Sequence, residues 1–255
     1  MDSDPAPGAH DPASLFTASA ESYAQHRPGY PDAALRRAIA GLGAPGSLLA
    51  ADVGAGTGIA ARQLADLGPR VLAIEPNAAM RAAAAPHPRI EWRDGTAEAT
   101  GLAGAAVDLV LCAQAFHWFR AAEALAEFRR VLRRPGRLAL IWNTRDVRDA
   151  FTRGYVEALR AVGGESTVEM RGFDPAVIHA GGAFAPATLE AYANAQRLDA
   201  AGLLGRALSA SYAPREGERG ERLRAALAAL HERYREADGR VALRYVTKLY
   251  VAESR

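Results

Sequence analysis

The chain has 255 residues and a net charge of +2 from 31 basic and 29 acidic side chains, and it is 49% hydrophobic and 24% charged. That length suits one α/β domain with additions or two small domains, and the composition is that of an ordinary soluble globular chain; without a basic run interleaved with aromatics it lacks the electrostatic footprint of a nucleic-acid binder. Cys112 is the only cysteine, which excludes an intrachain disulfide and a cysteine-held metal cluster.

Residues 1–14 are Asp, Pro, Gly and Ala without periodicity and are expected to form a flexible tail. They lack the basic start and apolar run of a signal peptide, and no stretch approaches the roughly 20 apolar residues of a membrane span, so a cytoplasmic protein without membrane partners is expected. Arginine carries almost all positive charge, with Lys248 as the one lysine, and alanine is abundant, as in GC-rich bacterial genomes.

Residues 15–45 read as N-terminal lid helices. Leu15, Phe16, Ala20 and Tyr23 share one helical face, Pro28 and Pro31 stop that helix, and Asp32–Leu42 forms the next. Residues 46–144 then alternate strands and helices. The strands are Ser47–Val53, Arg70–Ile74, Ile90–Trp92, Val107–Ala113 and Gly136–Trp142, and the helices Ile59–Leu67, Asn77–Ala85 and Ala121–Leu132. Such alternation predicts a parallel sheet with crossover helices. Residues 145–255 are expected to supply a helical cap and the last strands. Helices are predicted at Ala150–Val162, Ala200–Ala210 and Glu216–Glu236, strands at Ala187–Ala195 and Val241–Val251, and an irregular stretch at Gly163–Gly182. The fold expected is a Rossmann-like α/β domain with seven strands, mostly parallel, the last antiparallel. Tyr155, Phe173, Phe184, Tyr212, Tyr234 and Tyr245 are aromatics available to line a cap or fill a core.

Asp52-Val53-Gly54-Ala55-Gly56-Thr57-Gly58 lies between an apolar strand and a helix. Glycines let the backbone turn and approach a ligand, and the following helix offers free N–H groups. Glu75 ends the next strand, where a carboxylate can accept both hydroxyls of a ribose. A dinucleotide loop of the form Gly-x-Gly-x-x-Gly would need glycine where Ile59 stands, and Asp52 would repel a pyrophosphate while suiting the ammonium of an amino-acid cofactor. No His-Glu-x-x-His motif or carboxylate cluster is present, so no metal is expected.

Asp52–Gly58, Ile74-Glu75-Pro76-Asn77, Asp94–Glu98, Asp108–Phe119 and Arg130–Gly136 resemble the class I S-adenosylmethionine-dependent methyltransferases. The string Phe16, Ala20, Tyr23, Arg27-Pro28-Gly29-Tyr30-Pro31, with Ala115–Phe119, Trp142-Asn143 and Ser209–Tyr212, is similar to the trans-aconitate methyltransferase-like subgroup. The resemblance covers residues 15–143 well and the rest in scattered places. One departure is Arg137 in Pro135-Gly136-Arg137, where the family usually has a second glycine, which is expected to loosen a turn without touching function.

The resemblance implies S-adenosyl-L-methionine as cofactor, S-adenosyl-L-homocysteine as product and a small-molecule methyl acceptor. Gly54, Ala55, Gly56 and Gly58 would lie under the methionine part beside Asp52, and Glu75 and Pro76 at the ribose. Thr96, Ala97 and Glu98 would flank the adenine, and the backbone of Gln114 and Ala115 would meet the ammonium. Arg27, one helical turn from Tyr23, has a guanidinium suited to the cofactor carboxylate. His117, after the fourth strand, is the candidate catalytic base, with pocket wall and core packing as alternatives. O-, N- or C-methylation all remain open, in secondary metabolism among other settings, as does the oligomeric state. The competing activities are a nicotinamide-dependent oxidoreductase, disfavoured by Ile59 and by the absence of a Tyr-x-x-x-Lys pair, and a cofactor-binding protein without methyl transfer.

Overall fold

A computed structural model describes residues 26–163, 174–210 and 213–255, and everything below concerns those residues. Seven strands form one sheet in the order β3-β2-β1-β4-β5-β7-β6. They are β1 Leu49–Val53, β2 Arg70–Ile74, β3 Ile90–Arg93, β4 Val107–Ala113, β5 Leu132–Arg145, β6 Thr188–Leu198 and β7 Val241–Glu253. The first five pair in parallel, and β7 runs antiparallel to both neighbours, as expected for the last strand.

The helices are α1 Asp32–Ile39, α2 Ile59–Asp66, α3 Ala78–Ala82, α4 Ala121–Val131, α5 Ala150–Gly163, α6 Ala176–Ala180, α7 Ala200–Leu208 and α8 Gly217–Tyr234. Strands β1 and β4 are buried on both faces, so their sequences are continuous apolar runs and not alternating ones. One face packs Leu109, Leu111, Ile141 and Leu249 under α1 and α2. The other packs Val110, Cys112, Leu138 and Leu140 under α4 and α6. Cys112 is therefore a small core residue, as its strand position predicts.

A third core has a different location. Strand β7 begins at Val241, beyond Arg145 of β5, which pairs with Tyr245. Its first residues continue with the end of β6 as a two-stranded ribbon past the carboxyl ends of the parallel strands. Phe151, Tyr155, Leu159, Leu203, Leu223 and Leu227 of α5, α7 and α8 close over that ribbon. Tyr155 and Tyr245 are core residues of this unit, and Tyr234 packs at its margin. Phe184, open in sequence between cap and core, is fully buried in the sheet core with Ile178, because α6 folds back beside α4. That helix also lies inside the stretch read as irregular; Phe173 and Tyr212 fall outside the described residues.

Arg137 is a correction. The position continues β5, and its guanidinium is 8% exposed. Nη1 donates to the carbonyls of Ala40 (2.7 Å), Ala38 (3.1 Å) and Arg37 (3.4 Å), and Nη2 pairs with Glu253 at 2.7 Å. The end of a helix leaves carbonyls without partners and carries partial negative charge, so a buried cation there answers both. Arginine in place of glycine thus clamps α1 to the sheet where a loosened turn was expected. Because hydrogen bonds to charged groups contribute about 1.5–3 kcal/mol each, Arg137→Ala should lower unfolding free energy by at least that amount, read as a shifted denaturant midpoint at unchanged slope. An unshifted midpoint would contradict the clamp.

Candidate functional site

The strand order changes direction between β1 and β4, and the crevice at the carboxyl ends of β1, β2 and β4 is where open α/β sheets bind ligands. Val53 and Ile74 are paired, so the loops leaving β1 and β2 start side by side. The Ile74 carbonyl accepts the amides of both Gly54 (2.9 Å) and Ala55 (3.1 Å), which fixes the loop onto β2.

Gly54 has φ +71°, and a Cβ there would stand 2.7 Å from the Ala115 Cβ and 2.9 Å from Phe119. Only glycine satisfies both demands. Gly58, at φ +76°, occupies the cap position of α2 and lies against the Trp92 ring. Glu75, 8% exposed, sits beneath this loop. Its Oε2 accepts the amide of Gly56 and its Oε1 the amide of Asn77, both at 2.9 Å. Asn77 in turn caps α3, its Oδ1 accepting from Ala79 at 2.9 Å. The neighbouring Pro76 is exposed at the crevice rim.

Asp52 is fully buried at the end of β1, and neither carboxyl oxygen has a hydrogen-bond partner among the described residues. Burial, reinforced by the charge of Glu75, pushes the carboxyl up to about 7. The nearest donor, the Ala61 amide in the first turn of α2, pulls the other way without closing a hydrogen bond and is outweighed. Burial also raises the Cys112 thiol on β4, and the Asp52 charge nearby adds to that. The hydroxyl of Thr57, also buried, is likewise without a partner among the described residues. Two buried polar groups under one glycine loop, one of them a carboxyl, fit a ligand carrying positive charge better than a phosphate.

The opposite wall is the loop 94–100. Thr96 and Ala99 bond each other reciprocally through backbone and hydroxyl, and Ala97 is buried. Glu98 Oε1 accepts the amide of Arg120 at 2.9 Å, so this carboxylate caps the start of α4. The loop is anchored by a group that its sequence did not single out. Glu127 of α4 accepts the Thr100 amide (2.9 Å) and hydroxyl (2.5 Å) while pairing with Arg130, whose hydrogen bond holds it down to about 2.

Strand β4 ends in Gln114, a non-glycine residue at φ +57°. Such a backbone costs on the order of 1–3 kcal/mol and marks functional sites when the surroundings enforce it. Its amide donates to Ile141 at 2.9 Å and its Nε2 to the Asn143 carbonyl at 3.3 Å. Ala115 follows, buried against Gly54. His117 lies on a single turn, Phe116–Trp118, half-buried and stacked at 4.9 Å on Trp118, which is 41% exposed. Its Nδ1 is 3.5 Å from the indole nitrogen of Trp142, a donor only. That bond, at the long limit, puts the ring proton of neutral His117 on Nε2.

Arg27 reaches across to the end of α7, where its Nη2 donates to the Ser209 carbonyl at 3.3 Å. Tyr23 lies outside the described residues. The structure therefore gathers Asp52, Gly54–Gly58, Glu75, Thr96–Glu98, Gln114, Ala115 and His117 around one crevice. Arg27 is held at the end of α7 through the Ser209 carbonyl. Residues that sequence reasoning missed are Trp92, Thr100, Glu127, Asn194 and Thr247. They are single polar or aromatic positions whose role exists only through partners far away in the chain.

Residues 51–140 match the family described as methyltransferase domain. An uncharacterised methyltransferase of Mycobacterium tuberculosis is 40% identical over 142 residues, 54% of this chain and 56% of that protein, so the chain matches about half the length of this curated relative. Among solved structures, a protein of Anaeromyxobacter dehalogenans assigned as a type II methyltransferase is 27% identical. The superposition covers 90% of this chain and 97% of that one at a TM-score of 0.62. A methyltransferase assigned to an antibiotic biosynthesis pathway of Anabaena variabilis is 22% identical, with 88% and 98% covered and a TM-score of 0.61, a likeness of fold. The fold is thus that of the class I methyltransferases that the sequence resembles; nothing among these matches singles out the trans-aconitate subgroup.

The buried carboxyl of Asp52 gives a pH test with a defined sign. Its folded value, about 7, lies above the unfolded 3.8, so the folded state holds the extra proton between those values and loses stability as pH rises through that window. Asp52→Asn removes the titration. The stability of the variant relative to the parent should therefore increase from pH 5 to pH 8 in chemical denaturation. A difference independent of pH would show that Asp52 is not a buried titrating group.

Proposed function

Taking as premise that residues 51–140 are a class I methyltransferase domain, we propose that the chain transfers the methyl group of S-adenosyl-L-methionine to a small molecule. The observation that carries this reading is the pair of carboxyls beneath the glycine loop, Glu75 tied by two backbone amides and Asp52 buried without a partner among the described residues. A carboxyl at Asp52, which holds its proton up to about 7 in the folded chain, offers no attraction to a pyrophosphate and can take up negative charge beside a cationic amino-acid cofactor. The dinucleotide alternative is weakened by Asp52 and by Ile59 where its third glycine would stand.

On this reading Glu75 retains lone pairs on both oxygens for ribose hydroxyls, with Pro76 beside it. The loop Gly54–Gly58 faces the amino-acid end, and the Gln114–Ala115 backbone meets its ammonium. Asp52 lies under the loop as a buried counter-charge and does not form its surface. Ala97, with Thr96, borders the base, while Glu98 holds that loop in place through Arg120. Arg27 supplies the guanidinium for the carboxylate, and Tyr23 belongs to the same segment. When bound, the cofactor supplies a methyl group on a positively charged sulfur, and its demethylated product is S-adenosyl-L-homocysteine.

The third core closes over the carboxyl ends of the strands, and the acceptor site is assigned to the space between that cap and the His117 turn. Enclosure by helices suits a small molecule in the cytoplasm. Holding two reactants in line accounts for about 7–11 kcal/mol of a displacement barrier, so positioning is the main contribution of these walls. With Nδ1 accepting from Trp142, the His117 ring carries its proton on Nε2. A nitrogen that already bears a proton orients an acceptor oxygen or nitrogen and cannot take a proton from it. We therefore read His117 as a wall and donor, and the acceptor as a group whose lone pair or carbanion does not depend on this histidine.

Hydrogen bonds to charged groups contribute about 1.5–3 kcal/mol. Glu75→Ala should therefore weaken S-adenosyl-L-homocysteine binding at least about tenfold by calorimetry, and unchanged affinity would remove Glu75 from the site. His117→Ala should raise KM for the acceptor and leave the pH profile of kcat intact. A loss of about 10²–10⁴-fold in kcat together with a vanished ionisation near pH 6.5 would make it the base instead.

A further inference from the structure

Residues 26–30 form a strap that crosses β5, β7 and β6 near the carboxyl end of β5, and its backbone is held by side-chain amides. The Gly29 carbonyl accepts two of them, from Asn143 Nδ2 at 3.0 Å and Asn194 Nδ2 at 2.9 Å. Asn194 Nδ2 also donates to Asn143 Oδ1 at 3.1 Å, and the fully buried Thr247 hydroxyl donates to the same oxygen at 2.6 Å. On either side, Gln63 of α2 takes the Tyr30 amide and gives to the Tyr30 carbonyl, both at 2.8 Å. Gln196 of β6 donates to the His26 carbonyl at 2.8 Å. The His26 ring lies against Gly205 of α7, where any side chain would collide with it.

This arrangement reads the strap in one register. A one-residue slip would place the Gly29 carbonyl away from both asparagine donors and set the Tyr30 pair out of reach of Gln63, leaving half-buried polar groups unmatched. A Cβ at Gly29 would stand 2.8 Å from Gln63 Oε1, so a side chain there would displace the amide that holds Tyr30. Arg27 is two residues away in the same strap. The network also reaches the crevice, because the Asn143 carbonyl accepts from Gln114, the left-handed residue that ends β4.

We propose that Asn143, Asn194 and Thr247 are positioning residues that set the register of the 26–30 strap and so place Arg27 at the amino-acid end of the methyl donor. The proposal rests on the methyl-donor reading above. It assigns a role in donor binding to β6 and β7, which lie outside the matched segment 51–140. Neutral amides suit this role because they fix a backbone carbonyl without adding charge beside the carboxylate that Arg27 receives. Asn143 is the hub, with its carbonyl toward Gln114, its Nδ2 toward the strap and its Oδ1 toward the last two strands.

A double-mutant cycle between strap and cluster tests this with S-adenosyl-L-homocysteine as the probe. Asn194→Asp keeps the shape and turns a donor into an acceptor facing two oxygens; Asn194→Ala serves the same cycle if the aspartate variant fails to fold. Arg27→Ala alone should weaken binding about tenfold, and Asn194→Asp alone by a similar factor. The double variant should be little weaker than either, because a strap out of register has already withdrawn Arg27. A merely structural asparagine would lower the melting temperature and leave the effect of Arg27→Ala undiminished. Multiplicative losses of about a hundredfold, or no loss in Asn194→Asp, would overturn the proposal. Glu75→Ala distinguishes failure of this inference from failure of the donor reading. If the parent binds and Glu75→Ala does not, the donor reading stands whatever the cycle gives, whereas a parent without affinity for the probe overturns that reading and this inference together.

Discussion

One carboxylate holding two backbone amides sets the geometry of the site. Glu75 receives Gly56 from the loop after β1 and Asn77 from the turn after β2, so two loops of different strands share a single anchor. The loop is thereby held with left-handed residues at Gly54, Gly56 and Gly58, and α2 starts where Gly58 caps it. That helix carries Gln63, which binds the strap at Tyr30. An alanine at position 75 would leave two half-buried amides unmatched before any ligand is considered, so fold and site share the same constraint.

The far half of the sheet answers the near half. Strands β1, β2 and β4 supply loops with charge beneath them, while β5, β6 and β7 supply neutral amides and a hydroxyl that hold a strap from the N-terminal side of the chain. Beyond them the antiparallel β6–β7 ribbon extends past the parallel strands and carries the third core on it. The chain thus divides its work by strand direction. Parallel strands end together and make a crevice, whereas a strand that enters from the opposite side brings its first residues, Val241–Tyr245, to the same end and builds upward from them.

The strands and the glycine loop are legible in the sequence because their causes are local. Val107–Ala113 and Arg70–Ile74 are apolar runs of strand length, and their bounds match the structure. Asp52–Gly58 and Glu75 are readable because alternating glycines between a strand and a helix have few other uses. Arg137 is misread from sequence because its value lies in carbonyls about 100 residues away at the end of α1. Aromatic character alone leaves Phe184 open between cap and core; the return of α6 beside α4, which no periodicity announces, decides its burial. Asn194 and Thr247 give no signal at all: polar residues on an alternating strand look solvent-facing until a strap lies on them.

The functional reading depends on the proposal that the two carboxyls under the loop favour a cationic amino-acid cofactor. Parallel calorimetric titrations of the full chain with S-adenosyl-L-methionine and with NAD test it most directly. Saturable one-to-one binding of S-adenosyl-L-methionine and none of NAD is the expected result. Binding of NAD with no heat from S-adenosyl-L-methionine would contradict it.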